Sequence, residues 1–294
     1  MKRRLAVAFP GLLALVLATA IWLPCVHLLF LREAAADFPK AGISPFARKL
    51  ASRHLGLWTD PRHRAEEIAR MRGTNSEWDF MGRCFLVWSL AEMSLRDSST
   101  RTQNLVVMDA IITDTLALEK EQGMTVFLMP YARVPSYKVQ PARSLFLDGE
   151  VAMMLAVRRL VEERLDYKPL LKERIASISD RMGRNLLCAA ESYPDECWTF
   201  DHVLAQDATR IADYLDGTDH GDLRRRWVAA ATARFLDPQS GLLVSSYTLE
   251  GVHLDGPEGS SIWMITYGLR LLDEDFARDQ YARTKRELAG ETCG

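Results

Sequence analysis

The stretch Ala190–His202, "AESYPDECWTFDH", holds the carboxylates Glu191, Asp195, Glu196 and Asp201, the thiol of Cys197, the imidazole of His202 and the aromatics Tyr193, Trp198 and Phe200. Carboxylates crowded into one pocket cannot all ionise freely, and a carboxyl kept neutral beside aromatic walls can serve as a general acid. In that chemistry Asp195 or Glu196 donates a proton and Asp201 or Glu150 accepts one. His202 offers a further base, while Trp198 and Phe200 form an apolar wall. Tyr193, Cys197 and His202 would contact the substrate, joined by Tyr247 and Glu258 from the later loop "SSYTLEGVHLDGPEGSS". The plainer reading treats Tyr193-Pro194-Asp195-Glu196 as a turn with Asp195 capping, and Asp148, Glu150 and Glu258 as acids favoured by helix N-termini. His253, alone on a hairpin, reads as exposed. A further candidate, "TNSEWDFMGR", places Trp78 and Asp79 at the opening of an inner helix. No GxSxG, P-loop, HExxH or dinucleotide fingerprint occurs, and no Cys/His spacing suits zinc. Neither a cofactor nor a metal is expected.

These side chains must be positioned by helices. Ser44-Pro45 and Asp60-Pro61 are N-cap plus Pro-at-N1 signals, each opening a segment that closes on Gly56 or Gly73. A third helix starts near Asn75 and shows one apolar face through Trp78, Met81, Phe85, Trp88 and Met93. Another covers about 99–121 and stops at Gly123. Residues 124–146 are broken by Pro130, Pro135 and Pro141. Helical patterns return at about 147–165, 168–187, 202–216, 219–236, 259–272 and 274–289. Leu242–Tyr247 and Val252–Leu254 flank Glu250-Gly251 as a short β-hairpin. Short loops on one side and long, polar, aromatic-rich loops on the other suit helical hairpins curled into an all-α, α/α toroid, and no strict repeat period supports a regular solenoid.

The chain has 294 residues, 48% apolar and 26% charged, with a formal net charge of −2, a globular profile. No basic stretch alternates with aromatics, so nucleic acid is not an expected partner. Met1-Lys2-Arg3-Arg4 precedes Leu5–Leu31, which contains no charged side chain apart from the titratable His27. That run exceeds the roughly 20 residues needed to cross a bilayer. Residues 1–31 are therefore expected to be a single transmembrane anchor, with its N-terminus in the cytoplasm and the domain at 32–294 outside it. The small-x-small triplet Ala18-Thr19-Ala20 gives a cleaved signal peptide as the rival reading. The cysteines are residues 25, 84, 188, 197 and 293. Cys84 reads as a core residue. In an oxidising compartment, Cys188 and Cys197 would be the plausible local disulfide.

From the opening stretch onward, "SYPDECWTFDHVLA", "ADYLDGTDH", "RRWVAAATARFLDPQSGLLVSSYTLEG" and "SSIWMITYGLRLLDEDFARDQYARTKREL" resemble the linalool dehydratase/isomerase family, an α/α-toroid group. The likeness covers roughly Asp148 to Leu288. It rests on the Pro-Asp pair, the Gly217-Thr218-Asp219 helix junction and the turn at Leu236–Gly241. The resemblance implies a cofactor-free site that protonates or deprotonates an allylic monoterpene alcohol, using cysteines beside tyrosine, aspartate and histidine. In the gapless register one family cysteine falls on Ser192, the Cys-Asn pair falls on Asp201-His202, and a family histidine falls on Glu150. Cys188 and Cys197 share the spacing of the family pair, but placing them there needs a four-residue insertion before Gly217. A toroid takes about twelve helices of ordinary length where this chain supplies roughly ten, so an open or truncated ring is expected. The implied partners are a small-molecule substrate, a terpenoid by the family likeness, and the membrane; the sequence leaves oligomer formation open. A glycan hydrolase or lyase and a non-catalytic envelope scaffold are the other classes the sequence permits.

Overall fold

The computed structural model describes residues 2–30 and 39–288. The chain divides into two units between Arg48 and Lys49. In the first, helix α1 runs Lys2–Phe30 without a break at Pro10 or Pro24. Its described side chains, 10–26, are all exposed, among them Leu12, Leu17 and Trp22. Among the described residues no helix is long and apolar enough to cross a membrane. The expected span also includes the side chains of 5–9 and 27–31, which lie outside the described set, as does Cys293.

Helix α2 (Pro45–Thr59) crosses the divide, and α3 (Pro61–Thr74) opens the second unit proper. Both Pro-at-N1 signals work as expected. Ser44 Oγ accepts the Ala47 N–H at 3.1 Å, and the Asp60 carboxylate accepts those of Arg62 and His63 at 3.0 and 3.4 Å. Gly56, however, does not stop α2, which continues until Asp60-Pro61 imposes a new start. There follow α4 (Ser76–Arg96), α5 (Arg101–Gln122), α6 (Leu145–Val161), α7 (Tyr167–Gly183), α8 (Thr199–Asp216), α9 (Gly221–Arg234), α10 (Gly259–Leu272) and α11 (Glu274–Leu288). Asn75 and Ser144 cap α4 and α6 through their side chains. Gly123 and Gly217, at φ 78° and 66°, follow α5 and α8 in a conformation that glycine adopts without steric cost. The secondary structure is thus mostly helical, with one small sheet.

The sheet order is β1 (Cys197–Trp198), β2 (Ser246–Tyr247), β3 (His253–Asp255), antiparallel throughout. The β2–β3 hairpin was expected from sequence. The addition of β1, pairing Cys197 with Tyr247 and Trp198 with Ser246, was not.

Helices α4, α6, α8 and α10 pack in succession, with α5, α7, α9 and α11 around them. Helix α6 is buried on nearly every side, and so is most of α8. Small residues set the close approaches. A Cβ at Gly149 on α6 would lie 3.1 Å from the Ala205 Cβ on α8, and one at Gly268 on α10 would lie 2.4 Å from Val203 Cγ1 and 2.7 Å from Asp207 Oδ2. Gly268→Ala is accordingly expected to cost about 1–3 kcal/mol by overpacking, read as a lower urea midpoint; an unchanged midpoint would show that α8 and α10 separate freely. Helix α10 also touches α4: Tyr267 donates a hydrogen bond to Glu92, and its ring lies 5.5 Å from that of Trp88.

Candidate active site

Two carboxyls from neighbouring inner helices define the site. Glu150 stands in the second turn of α6 and Asp201 in the first turn of α8, both buried. Gly149, one residue before Glu150, lets the two helices approach closely. Neither oxygen of Glu150 has a hydrogen-bond partner. Burial pushes its carboxyl well above the ordinary range, and the charges of Asp201 and Glu77 push it further. Burial likewise raises Asp201 to about 7, with the Ser192 hydroxyl opposing and Glu77 adding to the rise. No cation figures among the influences on either group. A helix N-terminus ordinarily favours an ionised acid in its first turn; for Asp201, dehydration outweighs that preference.

Glu77, in the first turn of α4, is the third member. It accepts a hydrogen bond from the Tyr193 hydroxyl, which in turn accepts the Met129 N–H at 3.1 Å. Cys84, one turn past Phe80, donates its thiol to the Glu150 backbone carbonyl at 3.6 Å. Burial holds that thiol far above its usual range, so it is a neutral wall of the site.

An aromatic cover lies beside the carboxyls. Tyr131 stacks on Tyr193 at 5.0 Å and donates to Glu196 at 3.2 Å, while Trp198 Nε1 donates to the same Glu196 oxygen at 3.3 Å. Burial first, then Glu196 and Glu77, raise the Tyr131 phenol, which therefore stays protonated. Phe200 meets Phe85 of α4 edge to face at 5.9 Å. Since α4 and α8 are both neighbours of α6, this pair joins the two helices that flank it.

The remaining residues singled out from sequence have other roles. Asp195, at φ 59°, pairs with Lys138 at 2.8 Å and is more than a third exposed. Glu191 is a brace: its carboxylate accepts the backbone N–H groups of Lys138, Val139 and Asp195 at 2.9, 2.9 and 2.8 Å, tying the 137–139 strap to the opening stretch. Glu191→Gln turns one acceptor into a donor facing backbone donors, and is expected to cost about 1–3 kcal/mol in a urea melt; no change would mean that the strap is held elsewhere.

His202 is not free to act as a base. Nε2 accepts the Ala190 N–H at 2.9 Å, and Nδ1 lies 2.7 Å from the Trp198 carbonyl, so Nδ1 carries the proton. Burial lowers its pKa to about 4, and its ring stacks near Trp227. Tyr247 is fully buried against Phe235, and its hydroxyl accepts the Trp227 indole N–H at 3.4 Å. Glu258 contributes its backbone: its N–H donates to Ser245 Oγ at 3.0 Å, while the residue is exposed. Cys188 and Cys197 are both free buried thiols, which corrects the expected disulfide. Glu77 carries no signal of its own in the sequence, although it adjoins Trp78 and Asp79 at the opening of the inner helix. Asp79 is instead absorbed by Arg83 and Arg72, at 2.8 and 2.7 Å.

Two open clefts, of about 600 and 530 Å³, lie along α2–α4 and beside Arg72 and Arg133; neither is lined by the paired carboxyls. Among the described residues no group of three or more ligand-type side chains is placed to hold a metal ion. No protein-family model matches the sequence, and no curated protein shows significant similarity to it.

Proposed function

We propose that the chain is a membrane-anchored α/α-toroid enzyme of the linalool dehydratase/isomerase type, performing cofactor-free acid/base dehydration or isomerisation of a small, partly apolar alcohol. The observation that carries this reading is the pair Glu150 and Asp201: buried carboxyls without a cation, one held neutral and the other poised near 7. Such a pair supplies an acid and a base at the same pH. Glu150 gives its proton to the substrate hydroxyl, which leaves as water. Asp201 takes a proton from the neighbouring carbon, leaving an alkene, and a proton passing from Asp201 to Glu150 resets the site. The cation-like transition state lies among carboxylates and the rings of Phe85 and Phe200.

Burial of both carboxyls, away from the two open clefts, supports an apolar substrate over a glycan, which needs an open cleft lined by stacking aromatics. The sequence resemblance supports the same pair, since Glu150 and Asp201 take the positions of the family histidine and of one family thiol. Anchoring through α1 is supported by its exposed apolar side chains and by the charges of Lys2, Arg3 and Arg4 ahead of the run. That orientation leaves the N-terminus cytoplasmic and the remaining domain outside.

The test is incubation of the full chain with linalool, geraniol and other allylic or tertiary alcohols in D₂O, with products and their deuterium content read by mass spectrometry. Alkene or rearranged alcohol is expected, with deuterium entering carbon only where the step runs backwards and Asp201 returns a solvent-derived proton. Absence of both product and exchange across the panel would sink the reading and favour a non-catalytic envelope protein.

A further inference from the structure

Asp207 plays no part in the mechanism above, and its surroundings are unusual. It is fully buried on α8, and neither carboxyl oxygen has a hydrogen-bond partner. No other titratable group contributes to its environment; burial alone shifts it upward, so it is a neutral carboxylic acid. Its chain neighbour Gln206 is equally buried, with both amide atoms unpartnered. Stranding such groups in a dry interior costs several kcal/mol each, and native structures rarely leave them without a partner.

The position of Asp207 says where that partner would sit. Phe200, Val203 and Asp207 follow one another at three- and four-residue intervals, so they share a stripe of α8. Phe200 at the top of the stripe meets Phe85 of α4 edge to face. Val203 and Asp207 face Gly268 of α10, where only the missing Cβ leaves room for the carboxyl. Asp207 therefore lies below the Phe85–Phe200 pair. Asp201 is one residue past Phe200 and six before Asp207, an axial separation of about 9 Å along the helix.

We infer that Asp207 forms a second polar subsite, which binds a hydroxyl or carbonyl at the far end of the substrate, so that the preferred ligand is a bifunctional apolar molecule with polar groups at both ends. This rests on the reading of Glu150 and Asp201 as the reacting pair. A protonated carboxyl both donates and accepts a hydrogen bond, which matches a terminal alcohol and disfavours a bare hydrocarbon tail.

The test compares straight-chain α,ω-diols with 1-alkanols of the same length, binding to the full chain at constant detergent by calorimetric titration and thermal shift. One diol length is expected to bind about tenfold more tightly than its mono-alcohol, the effect of one added hydrogen bond in a dry site. Asp207→Leu is expected to erase that length optimum while leaving mono-alcohol binding unchanged. Asp207→Asn, still donor and acceptor, is expected to retain it. A flat series, or a length optimum that survives in Asp207→Leu, overturns the subsite. Turnover of mono-alcohols on the same preparation separates the two ideas: turnover without diol preference removes the subsite alone, and Asp207-dependent diol preference without turnover removes the catalytic reading alone.

Discussion

Glu150→Gln and Asp201→Asn are each expected to yield a folded chain whose turnover has fallen roughly 10²–10⁴-fold, the range for loss of a general acid or base. Folding survives because neither carboxyl holds a structural partner: Glu150 has none for its side chain, and Asp201 is steadied by the Ser192 hydroxyl, which an amide can also engage. The stability of the two proteins separates with pH in a defined direction. Asp201 titrates near 3.8 as an ordinary aspartate and near 7 in the fold. The folded state thus holds the proton more tightly. Wild-type stability is fullest below the lower value and falls as pH rises through the interval, by about 1.4 kcal/mol per pH unit for an isolated group. Above about 7 the loss is complete and stays constant. Asp201→Asn removes this slope, so its thermal midpoint should exceed that of wild type at pH 7.5 and approach it at pH 4. A constant difference across that window would show that Asp201 is not held neutral, and retained turnover in both variants would remove the pair from catalysis.

The largest stability effect is expected at Asp148→Ala. Asp148 is the knot of a buried charge network, receiving Arg143 Nε at 3.1 Å, Arg174 at 2.6 Å and Ser177 Oγ at 3.1 Å. Glu119 of α5 shares both arginines. Burial pushes the Asp148 carboxyl up, but the two guanidinium groups outweigh it and hold it below its ordinary range. Deleting it leaves two partly buried cations with one acid between them, a loss of about 3–5 kcal/mol by analogy with broken buried pairs. Urea unfolding at pH 7 measures this directly. Since the folded pKa is depressed, the contribution is present above the ordinary value and is lost as pH falls through the lower one. Wild type and variant should therefore converge only in strong acid; a loss under 1 kcal/mol at pH 7 would mean that the network is solvent-screened.

Helix positions were largely legible because their signals are local. The Ser-Pro and Asp-Pro starts, the Asn75 cap and the stops at Gly123 and Gly217 depend on a few adjacent residues, and each appears where its chemistry requires. The third strand was not legible: Cys197-Trp198 is too short to show alternation and pairs only because β2, about fifty residues later, lies beside it. The site was half legible. Crowding of acids around 190–202 marked the right loop, but composition could not separate Glu191, tied by three backbone amides, from Asp201, tied by almost nothing. The aspartate-histidine pair at 201–202 looked like one unit, yet adjacent helical positions diverge by about 100°, which sends His202 toward Trp227 and leaves Asp201 with the acids. Asp207 gave no signal at all, because a lone acid in a helix resembles a surface residue until its neighbours are known.

The four inner helices are not joined in the same way. The Cys84 thiol touches the Glu150 carbonyl between α4 and α6, Gly149 meets Ala205 between α6 and α8, and Gly268 meets Val203 and Asp207 between α8 and α10. Between α10 and α4 there is instead a phenol on a carboxylate and one tilted aromatic contact. Three joints are welded at the backbone and the fourth is a latch. Opening of the domain is therefore expected to concentrate there, with amides of the α10–α11 hairpin exchanging with solvent ahead of those in α6 and α8; equal protection of all four inner helices would remove the distinction.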